Sequence, residues 1–206
     1  MCGRFAQGLF PKKLRRIIRE MLDEIQGGVA NLNIAPGGTA GVVVREADRE
    51  PEVRRMEFGL TPAWDPKTRL FNARSETVAS KPTFRHAFQT RRCIIPVLGF
   101  YEWQNRFGKK IPHYFTPADE EETPLVLGGV WDGAQFSILT TAANALMRPV
   151  HDRMPVILRP DDWLDWLNPR FNDMNHLNFM MHPAPDDALL RCELPADYFF
   201  QKEFVL

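Results

Sequence analysis

The chain has 206 residues, 44% of them hydrophobic, which suits one domain with a substantial buried core spanning residues 2–206. Lysine plus arginine total 26 and aspartate plus glutamate total 26, so no global field draws the chain to nucleic acid or to an anionic membrane; any nucleic-acid site must be a local basic patch. The opening MCGRFAQG has no charged region followed by an apolar run, and nowhere do 18 apolar residues run together, so no signal peptide or membrane span is expected and the protein reads as intracellular.

In chain order, Leu14, Ile17, Ile18, Met21, Leu22 and Ile25 fall at helical spacing between Pro11 and Gln26, with Pro11 suited to a first turn and Gly27-Gly28 to a stop. Short runs rich in β-branched and aromatic residues follow at 41–46, 52–59, 92–97, 99–103, 111–115, 125–131 and 136–141, and read as strands. Ser75 is placed to cap a short helix ending near Pro82, and Asp161 to Leu167 and Asp186 to Leu190 read as further short helices. The pattern predicts an α+β fold with a mainly antiparallel, twisted or barrel-like sheet and flanking helices. No linker, repeat or low-complexity segment divides it.

Three cysteines, Cys2, Cys93 and Cys192, show no C-x-x-C spacing, and the five histidines show no ligand spacing, so neither a disulfide framework nor a metal site is expected and no cofactor is called for. Cys93 and Cys192, in apolar strand-like surroundings, read as buried thiols. Cys2 is different. Removal of Met1 would leave an α-amine (reference pKa about 8) beside a thiol (about 8.5) on adjacent carbons. The amine condenses with an aldehyde to a Schiff base, and the thiol then closes a five-membered thiazolidine. On position alone, however, Cys2 is simply the second residue of an ordinary protein.

Four further segments concentrate polar residues: FNARSET at 71–77, GFYEW at 99–103, TTAAN at 140–144 and HDRMP at 151–155. Asn72 offers an amide to fix a ligand, Arg74 and Arg153 can each clamp a phosphate, and Glu102 and His151 can exchange protons. Glu102 and His151 also have plainer readings, as a solvent-facing strand glutamate and a satisfied turn histidine. Trp64 and Trp103 are able to stack on bases, although tryptophans more commonly fill cores.

Taken together and in order, MCGRF, NIAP at 33–36, FGLTPAW at 58–64, NARSET, RCIIPVLGFYEW at 92–103, TTAAN and HDRMPVIL at 151–158 resemble the SOS-response-associated peptidase (SRAP) family. The resemblance implies a single domain that binds single-stranded DNA containing abasic sites and crosslinks itself to them through Cys2. It implies that Asn72 positions the cysteine and the sugar, that Glu102 is the acid/base of Schiff-base chemistry, and that His151 assists opening of the sugar ring. Arg4, Arg74 and Arg153 would hold phosphates, and Pro36, Trp64, Trp103, Thr140 and Thr141 would form the wall against which the kinked strand rests. It further implies a peptidase activity directed at the N-terminus, a monomer, and a cytoplasmic or nucleoid-associated location in a bacterium. Two departures stand out: Phe58 replaces a tryptophan, and the tail LRCELPADYFFQKEFVL lacks the family's Val-Asn pattern. Two other classes remain open at this point, an N-terminal-nucleophile amidohydrolase, which also begins Met-Cys-Gly, and a noncatalytic single-strand binding module.

Overall fold

A computed structural model describes residues 2–8, 31–118 and 125–200. The helix expected over 11–26 lies outside the described residues. Every strand expected in the middle of the chain is present: β3 (Thr39–Val44), β4 (Glu52–Phe58), β6 (Arg92–Val97), β7 (Gly99–Arg106), β8 (Lys109–Pro117), β9 (Leu125–Asp132) and β10 (Gln135–Ala142). Shorter strands join them, namely β1 (Arg4–Gln7), β2 (Asn31–Ile34), β5 (Asn72–Arg74), β11 (Arg153–Pro155) and β12 (Leu189–Glu193).

They form two sheets. The first is antiparallel in the order β12-β8-β7-β1-β2, with β1 an interior strand. The second runs β11-β10-β4-β3-β6-β9, and β10 also pairs with β9, so β10, β4, β3, β6 and β9 close on themselves as a five-stranded barrel. Closure removes two free edges. β10 is the busiest strand: its first half lies between β9 and the parallel β4, and its second half meets β5 (parallel) and β11 (antiparallel).

Strand alternation explains how one barrel feeds two cores. Val42, Val44, Cys93, Ile95, Leu125, Leu127, Phe136 and Ile138 point inward and join Phe5, Phe100 and Phe115 from the first sheet. Their neighbours Val43, Ile94, Val126 and Leu139 point outward beneath the helices. Both faces of β6 are therefore buried, which is why residues 93–97 form a continuous apolar run rather than an alternating one. The Gln7 amide donates to the carbonyls of Gly41 and Pro96 at 2.9 Å and accepts from Gly41 N at 2.7 Å, riveting β1 to the barrel.

Among the described residues three helices cover the outer face: α1 (Pro82–Thr90), α2 (Trp163–Leu167, entered through a 3-10 turn at Pro160–Asp162) and α3 (Met174–Met180). Buried Arg92 ties their ends together by donating to the carbonyls of Phe88, Trp166, Asn168 and Phe171. Burial pulls its pKa down to about 10.

Three expectations need correction. Residues 75–80 form turns, and the helix begins at Pro82 instead of ending there; proline lacks an N–H that a first turn does not need, and Phe84, Ala87 and Phe88 supply the buried stripe after it. Asp186–Ala188 is only a 3-10 turn, after which the chain becomes β12. Cys192 is exposed, because β12 is an edge strand with only Leu189 buried.

Candidate functional site

The site gathers where the first sheet meets the barrel. Antiparallel pairing of β1 with β7 sets Arg4 opposite Tyr101 and Phe5 opposite Phe100, which brings the segment before β1 to the level of Glu102. Cys2 and Glu102 are both buried. From the barrel side, β5 hangs on β10 through Asn72↔Ile138, and the Asn72 amide donates to the Cys2 carbonyl at 3.0 Å and, more weakly, to the Ile138 carbonyl at 3.4 Å. The buried Asn72 Oδ1 has no hydrogen-bond partner among the described residues. Three elements thus converge on Cys2.

The electrostatics follow from that placement. Burial raises the Cys2 thiol pKa far above its ordinary value, and the nearby Glu102 charge raises it further. The thiol is therefore neutral at physiological pH.

A second group sits at the β10 end. Arg153 on β11 grips both carboxylate oxygens of Glu76, at 2.5 and 2.9 Å, and also donates to the Thr140 carbonyl at 2.5 Å. This ion pair holds the Glu76 carboxyl below the usual range. Arg74 is exposed and makes no ion pair among the described residues, so it is the readier of the two for a phosphate. Thr140 and Thr141 are buried, with Thr140 paired to Arg74 and Thr141 to Met154. His151 lies at the end of the loop before β11. Its Nδ1 accepts from the Arg153 backbone N–H at 3.0 Å and lies 2.9 Å from an Asp152 carboxylate oxygen. Acceptance requires a bare Nδ1 and so leaves the proton of the neutral ring on Nε2, whereas a protonated ring would donate from Nδ1 to Asp152. Asn144 braces the loop by accepting from Met147 N and donating to the Ala184 carbonyl, and Gln104 anchors it to β7 through the Pro149 carbonyl at 2.8 Å.

The remaining sequence candidates lie on other faces. The Arg4 guanidinium donates to Asn33 Oδ1 and lies over the rings of Trp103 and Phe199, on the side of the sheet away from the barrel. Pro36 is exposed in the β2–β3 turn. Trp64 is 68% exposed and rests on α1, its indole N–H reaching Thr83 Oγ1 at 3.4 Å. No described contact joins Trp64 or Pro36 to Cys2. Sequence reasoning passes over three polar residues that the fold brings in: Glu76 as the Arg153 partner, Gln104 as the loop anchor, and His113, which lies opposite Glu102 on β8. Glu76 belongs to the NARSET motif, but nothing in the sequence names its partner.

Comparison with known proteins supplies independent information. The chain is 32% identical over 206 residues to the abasic site processing protein YoqW of Bacillus subtilis, covering 92% of this chain and 90% of that one. It is 30% identical to the abasic site processing protein YedK of Escherichia coli, with 81% and 79% covered. Among solved structures, a Bordetella bronchiseptica protein matches with a TM-score of 0.73 at 27% identity, covering 94% of this chain and all of that one. A Bacteroides thetaiotaomicron protein shares the fold with a TM-score of 0.78 at 23% identity. The family model for SOS response associated peptidase (SRAP) matches residues 1–197, and the chain belongs to that family.

Proposed function

We propose that the protein senses and processes abasic sites in DNA, acting on single strands as a monomer and forming a covalent thiazolidine through Cys2. The observation that carries the reading is the convergence of Asn72 and Glu102 on a buried residue two places from the chain start, in a family whose relatives bear the name abasic site processing protein.

The order of steps follows from the local charges. Once Met1 is removed, the α-amine of Cys2 attacks the aldehyde of the ring-opened sugar, and the carbinolamine loses water to give an imine. Glu102 carries the proton that the attacking amine loses to the carbinolamine hydroxyl, which then leaves as water. Sulfur then adds to the imine carbon while its proton passes to the imine nitrogen, with Glu102 as carrier, so the ring closes without any oxidant or reductant. Asn72 fixes the Cys2 carbonyl and holds both nucleophiles in register with the sugar. His151 is the proton donor and acceptor for ring opening, its Nε2–H set by the Arg153 backbone bond. Arg74 and Arg153, with Arg4 on the opposite face, hold phosphates.

The amidohydrolase reading is set aside on the family match and the names of its relatives, and absence of glutaminase activity in Met1-free protein is the expected result.

The test is denaturing electrophoresis of Met1-free protein with an oligonucleotide carrying one abasic site, beside an intact oligonucleotide and the Cys2→Ala protein. A denaturation-resistant band that needs both the lesion and Cys2 is expected. With processing confirmed by mass, absence of the band would leave a noncatalytic binder.

A further inference from the structure

β7 carries Glu102 into the site and then runs on to a tip with chemistry of its own. Arg106 pairs with Lys109, so Phe107-Gly108 is a two-residue loop, and both residues have positive φ, +52° and +78°. That is a type I′ hairpin turn, whose first position favours asparagine or aspartate because a bulkier side chain is strained in the left-handed region. Phenylalanine stands there instead, and it is fully exposed. The ring buries nothing in this fold, so packing does not account for it.

Its neighbours are cationic. Lys109 and Lys110 are exposed and make no ion pair among the described residues, while Arg106 is held by Glu193 and Gln104. Glu102, Gln104 and Arg106 share one face of β7 by strand alternation, so the tip lies at the end of a row that begins in the site. Phe107 lies five positions beyond Glu102, about 17 Å at the strand rise of about 3.4 Å per residue. That spans about five base steps at the 3.4 Å spacing of stacked nucleotides.

We propose that the β7–β8 tip is a second DNA subsite, in which Phe107 stacks on a nucleobase of the bound strand about five nucleotides from the reacting sugar and Lys109 and Lys110 hold the adjoining phosphates. An aromatic platform beside exposed cations is the pairing that grips a single strand without reading its sequence. The assignment rests on the abasic-site reading above and extends it outward from the lesion.

The experiment measures fluorescence anisotropy of Met1-free protein with two labelled single strands, one reaching seven nucleotides to either side of the abasic analogue and one reaching two. Phe107→Asn creates the favoured Asn-Gly turn, so the fold should melt at the same temperature or higher. It should weaken binding of the long strand about tenfold, as loss of one stacked base does, and leave the short strand unaffected. Phe107→Tyr should bind as wild type does. Replacing the bases four to six positions from the lesion with baseless spacers should weaken wild-type binding and leave Phe107→Asn unchanged. Equal affinity of wild type and Phe107→Asn for the long strand would overturn the subsite. Crosslinking of wild-type protein to a short strand bearing a true abasic site reports separately on the underlying function: its absence refutes that function, while its presence alongside an inert Phe107 refutes only the tip.

Discussion

Asn72→Ala isolates the contact that fixes the nucleophile. The Nδ2 donor lies 3.0 Å from the Cys2 carbonyl, while its second bond, to Ile138, is long at 3.4 Å. One good hydrogen bond is therefore at stake. Losing the donor to a buried carbonyl costs about 1–3 kcal/mol, and a nucleophile displaced by about 1 Å loses about a hundredfold in rate. A fall of about 10- to 100-fold in the single-turnover crosslinking rate is expected. The melting temperature should drop by only about 2–4 °C per kcal/mol lost for a chain of this size. Asn72→Asp should be slower still, since it sets a carboxylate oxygen against the Cys2 carbonyl and adds a second anion beside Glu102. The assay is a quenched time course of denaturation-resistant product at saturating protein, with the free N-terminus verified by mass. A rate within twofold of wild type in Asn72→Ala would mean that β1–β7 pairing alone positions Cys2, and the role assigned to the amide would be wrong.

Other perturbations follow from the same geometry. Phe136→Ala removes a ring stacked 5.2 Å from Phe58 and edge-on to Phe5 at 6.5 Å; it should cost about 3–5 kcal/mol, read as a fall in melting temperature of about 6–20 °C. Glu76→Gln loosens the Arg153 clamp and frees its guanidinium to neutralise one more phosphate, so the slope of log affinity against log salt for an intact single strand should steepen by about 0.7; an unchanged slope would show that Arg153 is structural. Burial keeps the His113 pKa below its ordinary value, against the opposing pull of Glu193 and with Arg191 and Arg106 reinforcing it. The unfolded chain therefore binds the proton more readily, and stability present above about pH 6.5 is lost as the pH falls below it. Thermal melts from pH 7 to pH 5 should decline in wild type and stay flatter in His113→Phe, whereas Glu193 and Glu76, held below the carboxylate range, lose their contributions only at lower pH.

How much of this is legible in the sequence depends on element length. The long strands announce themselves because their stretches of six to nine residues carry runs of β-branched and aromatic residues. β1, β5 and β11 hold only three or four residues and exist because distant partners complete their ladders, a condition no local pattern encodes. Pro82 is ambiguous, since proline serves both as stop and as first residue; the apolar spacing of Phe84, Ala87 and Phe88 beyond it resolves the choice. α3 escapes the sequence reading although Asp173 is a readable cap, its side chain accepting from Asn175 N and His176 N. At the site, the motifs indicate which residues matter, and the fold supplies their partners. Glu76 on Arg153, and Asn33 and Phe199 on Arg4, are separated from those arginines by at least 29 positions in sequence.

The interior position of β1 has a mechanical consequence. Hydrogen bonds to β7 and β2 flank it on both sides, and Gln7 pins its far end to β3 and β6. Tension on a DNA strand fastened at Cys2 would load those bonds in shear, many at once, in contrast to the one-by-one peeling of an edge strand. A motor hauling on the nucleic acid would meet its greatest resistance at the first residues of the chain, so dismantling of such an adduct would proceed more readily from the edge strand β12.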